Sequence, residues 1–186
     1  MRRLLALALL LILALSPQPG SAEPDQRSAP SRADWIQDVR AVMKGSGAYL
    51  RERTESGDER LAVNFDIDNS AIATYYDGRD AGAIPRVLRF ARRAQALGVQ
   101  VFFNTARTNG MRERTLDQLS AAGYDVDRLC MRRQGETLPQ GKQRCRAKFA
   151  AKGFTLIANV GNNPTDFVGG GFEKAYRLPN YGGELG

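Results

Sequence analysis

The most regular signal along the chain is an alternation, from about residue 61 onward, of short apolar runs with amphipathic stretches that end in glycine. Leu61-Ala62-Val63-Asn64-Phe65 is mostly apolar, ends in acids and reads as a buried strand. Pro85 opens a predicted helix over 85–97, with Val87, Leu88, Ala91, Ala94 and Leu97 as its apolar face and Gly98 as its stop. The run 99–103 is the next strand. A helix through Met111, Leu116 and Leu119 stops at Gly123, and 126–131 is a third strand. A helix over 142–152 stops at Gly153, 155–160 is a fourth strand, and 175–178 a short fifth. Three helices, each closed by glycine and followed by an apolar run, predict repeated βαβ units on a parallel sheet, an α/β fold. In such sheets the chemistry gathers beyond the carboxyl ends of the strands.

Upstream, Trp35, Ile36, Val39, Val42 and Met43 recur at helical spacing until Gly45 and Gly47 interrupt them. A helix broken or ended there is expected, packed against the main body. The first residues follow another pattern. Met1-Arg2-Arg3 is a basic head, 4–15 an unbroken apolar run, and Gly20-Ser21-Ala22 a set of small residues. That is the layout of a secretory signal peptide. Twelve residues rise about 18 Å as a helix, short of a bilayer core of about 30 Å. The expected organisation is a signal peptide over 1–22, a polar, Pro-containing flexible leader over 23–33 and one domain over 34–186. The product is then secreted or periplasmic, and meets a membrane only during export.

Composition narrows the chemistry. The chain has no histidine, which excludes Ser-His-Asp and Cys-His nucleophile systems, phosphohistidine and imidazole-based zinc. Its two cysteines, Cys130 and Cys145, cannot make a four-thiolate site, and neither is followed six positions on by Arg as a cysteine phosphatase loop requires. In an exported chain they read as a disulfide, with two buried thiols as the alternative. Losing 1–22 takes Arg2 and Arg3 with it and lowers the net charge from +7 to +5. The arginines are dispersed along the helices without interleaved aromatic residues, so no nucleic-acid partner is indicated. Catalysis must rest on carboxylates, hydroxyls, Lys, Arg and a hard metal ion.

Four polar clusters sit at strand ends. Asp66-Ile67-Asp68 follows the first strand, and residues two apart on extended backbone face the same side, one carboxylate as nucleophile and one as acid/base; a turn-forming acid pair is the alternative. Thr105, in FFNTAR, offers a hydroxyl to a phosphoryl oxygen or caps a helix. Lys142, at the start of the fourth helix with Arg146 one turn on, offers a fixed cation or a solvated surface. Gly161-Asn162-Asn163-Pro164-Thr165-Asp166 offers oxygen ligands to a hard metal, or is an Asn-Pro turn.

The order Asp-x-Asp, Thr, Lys, Gly-Asn-x3-Asp, each after its strand, resembles the four motifs of the haloacid dehalogenase (HAD) superfamily. FDIDNS, FFNTAR, RERTLDQLSAAGYDVDRLCMR, Lys142 with Arg146, Gly153-Phe154 and Arg177-Leu178-Pro179-Asn180 resemble its plant-type and bacterial secreted acid phosphatases (subfamily IIIB) over about residues 60–182. The resemblance implies a three-layer αβα Rossmann-like fold and a Mg²⁺-dependent phosphomonoesterase acting on a small phosphomonoester. By position, Asp66 attacks phosphorus, Asp68 serves as acid then base, Thr105 holds a phosphoryl oxygen and Lys142 orients Asp66. Asp66, the carbonyl of Asp68, Asn162 and Asp166 would hold Mg²⁺, which suits an oxygen-only site and keeps part of its water. The segment 71–83 is the sole candidate flap, with Tyr75, Tyr76 and Asp77 near its tip, so the cap is minimal or absent. Asn162 stands where the family usually has Asp, which raises the alternative of a protein that binds a phosphorylated ligand without turnover. A phosphotransferase passing the phosphoryl group to an alcohol is the other.

Overall fold

The computed structural model describes residues 29–55, 57 and 60–186, and the expected signal peptide over 1–22 lies outside the described residues. The apolar runs form β1 (Arg60–Phe65), β2 (Gln100–Thr108), β3 (Arg128–Arg132), β4 (Phe154–Gly161) and β5 (Lys174–Arg177). They pair in parallel as one sheet in the order β3-β2-β1-β4-β5. The helices are α1 (Arg32–Val42), α2 (Ser46–Thr54), α3 (Thr74–Asp77), α4 (Pro85–Ala96), α5 (Arg112–Ala121) and α6 (Leu138–Ala150).

Strand side chains alternate between the two faces of the sheet. On one face Val63, Phe65, Val101 and Phe103 form a core with Trp35 of α1, Leu50 of α2, Val87 and Phe90 of α4 and Leu119 of α5. On the other, Ala62, Phe102, Phe154 and Leu156 pack under Cys145 and Phe149 of α6. This is the expected three-layer αβα arrangement. Gly98, Gly123 and Gly153 close the helices with φ of 78°, 88° and 78°, a left-handed turn that other residues resist.

Several boundaries differ from the sequence expectation. Ser31 caps α1 by accepting the Asp34 N–H, so the helix starts within the stretch read as leader. Gly45, at φ 78°, breaks the first helix cleanly into α1 and α2. Met111 lies in a short 3-10 turn and is 39% exposed, so it is outside α5 and its core face. Lys142 is in the second turn of α6, because a reciprocal capping box between Thr137 and Gln140 starts the helix at Leu138. β2 continues to Thr108, which places the whole NTAR segment on the strand itself, with a register shift against β3 after Thr105. Cys130 on β3 and Cys145 on α6 form a disulfide with Cα atoms 5.7 Å apart, pinning α6 to the sheet.

The candidate flap over 71–83 is short and anchored. Ala71, Ile72 and Ala73 are fully buried, and Tyr124 donates its hydroxyl to the Ala71 carbonyl at 2.8 Å. Tyr76 stacks on Trp35 and donates to the Pro30 carbonyl, and Asp77 pairs with Arg32 through two bonds of 2.8 Å. Tyr75 alone of its three polar tip residues is exposed.

Candidate active site

β1 ends where Asp66 N–H bonds the Val160 carbonyl of β4 at 2.8 Å, which leaves the Asp66 carboxylate at the carboxyl edge of the sheet, 8% exposed. From α6, on the opposite layer, Lys142 reaches the same point. Its ammonium bonds Asp66 Oδ1, contacts Asp166 Oδ1 at 2.8 Å and donates to the Asn104 carbonyl at 2.6 Å. Three protons meet three oxygens, so the buried cation is fully paired. Burial raises Asp66 above the ordinary carboxylate range; Lys142 opposes that, while Asp166 and Asp68 reinforce it. The cation falls short of a full correction because it is shared between two carboxylates. Burial works to lower Lys142, but Asp66 and Asp166 outweigh it and hold the ammonium above its usual value.

Asp166 is committed on both oxygens. Oδ1 faces Lys142, and Oδ2 accepts the Asn163 N–H at 2.9 Å, closing a one-turn cap over Pro164–Asp166. The carboxylate lies flat over Gly161, where any Cβ would collide with it. Its place in the cluster is that of a support for Lys142. Asn162 is likewise committed. Its amide oxygen accepts the Ser70 hydroxyl at 3.1 Å, and its amide nitrogen donates to the Leu185 carbonyl at 2.8 Å. The same carbonyl receives a 2.8 Å bond from Asn69, whose own carbonyl oxygen holds the Tyr75 N–H at 2.7 Å. Asn69 adopts φ 54°, a left-handed conformation asparagine tolerates better than most residues.

Asp68 stands apart from this buried group. Its carboxylate, 39% exposed, makes a bidentate pair with Arg107 at 2.9 and 2.6 Å. Arg107 is braced in turn by Gln118 at 2.8 Å and Thr115 at 3.3 Å. The Thr105 hydroxyl, 1% exposed, accepts the Arg107 N–H at 3.2 Å. The four strand-end clusters therefore converge, with Asp66, Lys142 and Asp166 in one contact network and Asp68 and Thr105 joined through Arg107.

Sequence reasoning gave no role to Arg107, although it directly follows the NTA segment on a strand that ends at the site. It also passed over a buried ladder of amides: Asn64 donates to Asn159 at 2.6 Å, Asn159 to the Asp166 carbonyl at 3.1 Å, and Asn104 to the Lys142 carbonyl at 2.9 Å. Polar residues inside otherwise apolar strands were the available signal, since buried amides persist only when paired. Arg146 belongs elsewhere: its guanidinium donates to the carbonyls of Gly170, Asp166 and Val168, so it ties down the loop after β4 instead of lending charge to the site.

Among the described residues no three carboxylates or thiolates converge as a ready metal cage. The oxygens that remain are Asp66 Oδ2, the Asp68 carbonyl and the second lone pair of the Asn162 amide oxygen. One anionic and two neutral ligands with room for water fit a small hard cation, held less tightly than by two carboxylates.

The profile of the HAD superfamily, subfamily IIIB (Acid phosphatase), matches residues 73–184. The chain belongs to that subfamily. The match begins after Asp66 and Asp68, so the assignment of that pair rests on its geometry with Lys142. Among curated relatives, acid phosphatase 1 of Solanum lycopersicum is 25% identical over 151 residues, covering 78% of this chain and 56% of that protein. Vegetative storage protein 1 of Arabidopsis thaliana is 24% identical over 153 residues, covering 78% and 53%. The chain thus spans just over half the length of these relatives. The class C acid phosphatase of Bacillus anthracis, solved with tungstate bound, shares the fold at TM-score 0.66 and 14% identity, over 81% of this chain and 79% of that one. A second structure of the class C enzyme agrees at TM-score 0.65.

Proposed function

We propose that the protein hydrolyses small phosphomonoesters through an aspartyl-phosphate intermediate on Asp66, with Mg²⁺ as its cation. The observation that carries this reading is the buried Asp66–Lys142–Asp166 cluster, in which one carboxylate oxygen of Asp66 is held by an ammonium and the other is left toward the open edge of the sheet. Asp66 Oδ2 attacks phosphorus and the ester oxygen leaves, taking a proton from Asp68. Asp68 then accepts a proton from the water that attacks the same phosphorus, releasing phosphate and restoring the Asp66 carboxylate. The Thr105 hydroxyl donates to a phosphoryl oxygen, and Arg107 fixes the direction of the Asp68 carboxylate. Asp66, the Asp68 carbonyl and Asn162 would hold Mg²⁺, whose charge offsets the repulsion between a carboxylate and a phosphate dianion. The anchored, short flap leaves the site open and supports use of many monoesters.

Export fits the same reading. The N-terminal pattern is that of a signal peptide, and the Cys130–Cys145 disulfide is a bond that persists in oxidising compartments. Hydrolysis of p-nitrophenyl phosphate, with Mg²⁺ and with chelator, tests the function. Metal-dependent turnover that disappears in Asp66→Asn is expected; turnover unaffected by both overturns it. One observation favours a second reading, in which the protein binds a phosphorylated ligand without turnover: both ends of the Asn162 amide are engaged within the protein. A storage protein among the relatives is consistent with it. Phosphate binding with no hydrolysis of any monoester would select it.

A further inference from the structure

Arginines dispersed in the sequence meet on one surface of the fold. A groove of about 640 Å³ between α2 and α4 is lined by Arg51, Arg86, Arg89, Arg92 and Arg93, and by no acidic residue. Elsewhere among the described residues arginines near the surface are matched with carboxylates: Arg32 with Asp77, Arg53 with Glu173, Arg144 with Glu136. In the groove the bonded guanidiniums reach only backbone carbonyls, Arg86 to Met43 at 3.3 Å and Arg92 to Gly123 at 3.2 Å. Gathering like charges without counter-charge is unfavourable by itself and sets up a strong positive potential in a concave site. Arg86, Arg89 and Arg93 stand on one stripe of α4, at steps of three and four residues along about 10 Å of helix. Facing them is the start of α2, where Gly47 has open space around it and no side chain caps the helix.

We infer that this groove is a binding site for a linear oligophosphate, separate from the catalytic cluster, with which it shares no residue. Guanidinium forks match phosphate oxygens in paired bonds, and a row of them matches a row of linked phosphates better than one orthophosphate. The lining argues against the other polyanions. Phe90 is its single aromatic residue and is 3% exposed, so no ring is available to stack a nucleic-acid base. None of the exposed large hydrophobics, Tyr75, Met111, Leu138 and Val168, borders it, so nothing apolar is offered to a lipid surface.

The test is calorimetric titration of Asp66→Asn protein, which removes the proposed hydrolysis, with sodium tripolyphosphate and with orthophosphate. Saturable tripolyphosphate binding is expected, weakening with salt and at least roughly tenfold tighter than orthophosphate binding in the groove. The double variant Arg89→Glu/Arg93→Glu should lose it roughly tenfold or more with an unchanged melting temperature, since both side chains are exposed. Arg51→Glu, on the opposite wall, should weaken it as well and serves if the double variant folds poorly. Binding that survives these reversals, or that orthophosphate matches, overturns the inference. So does tighter binding to phosphatidylserine vesicles or to single-stranded oligonucleotide than to tripolyphosphate. Phosphatase failure at Asp66 leaves the groove untouched, so the two proposals fail separately.

Discussion

The side-chain amide of Asn162 donates to the backbone carbonyl of Leu185 at 2.8 Å, a bond that a carboxylate at that position is unable to make. Leu185 O also receives Asn69, so one carbonyl joins the loop after β1 to the loop after β4. The amide's orientation is fixed by its partners: Leu185 O can only accept, which directs the nitrogen to it and the oxygen to Ser70. An amide at 162 therefore serves the packing of the site's edge while offering the metal a neutral oxygen.

Asn162→Asp should trade one role for the other. The donor to Leu185 is lost and an anion faces a carbonyl, which should lower metal-free stability by about 1–3 kcal/mol. Mg²⁺ should bind more tightly and activity at low Mg²⁺ should rise, because a carboxylate is the better ligand. Melting curves across a Mg²⁺ titration check both. Equal Mg²⁺ dependence in the two proteins would remove Asn162 from the metal site.

The raised Asp66 makes metal-free stability depend on pH. Its folded value lies above its unfolded one, so the folded state binds more protons between the two and stability falls as pH rises through that window. Asp66→Asn fixes the neutral form and should flatten this slope and melt higher than wild type at pH 7 without metal. Urea denaturation from pH 4 to 7 tests it; parallel profiles for the two proteins would contradict the burial argument.

Much of this was legible in the chain because it is local. Helix–glycine–strand order fixed the parallel sheet, and a hydrophobic run ending in Asp66-Ile67-Asp68 placed both acids at a strand end. What escaped were relations between distant segments. The Asn64–Asn159 bond, the Arg107 brace and the Leu185 carbonyl join residues tens of positions apart, and only the sheet order brings them together. The start of α6 was misplaced because apolar periodicity begins later than the Thr137 cap that sets the helix.

Arg107→Lys should separate orientation from stability. Lysine keeps a positive charge but not the fork that holds both Asp68 oxygens. Because Asp68 is 39% exposed, the loss of stability should stay within about 1 kcal/mol. The rate should fall by about 10- to 100-fold, since acid/base catalysis contributes about 10²–10⁴. A kcat loss with KM held, set against unchanged melting, is the expected pattern; unchanged kcat would free Asp68 from dependence on Arg107.

Cys130→Ser/Cys145→Ser removes the cross-link between β3 and α6. Closing a loop of about 15 residues is worth about 3 kcal/mol in the chain-entropy treatment. The variant should lose about that in guanidinium denaturation, and wild type under reductant should match it. No difference between oxidised and reduced protein would show that the helix is held by its packing alone.

The account turns on a covalent bond between phosphorus and Asp66, and rapid quench in acid with a ³²P-labelled monoester measures it directly. Labelled protein should appear during turnover, release its label to hydroxylamine as an acyl phosphate does, and yield one labelled peptide, the one containing Asp66. Asp66→Asn should carry no label. Steady hydrolysis with no labelled peptide, or label on any other residue, would contradict the assignment.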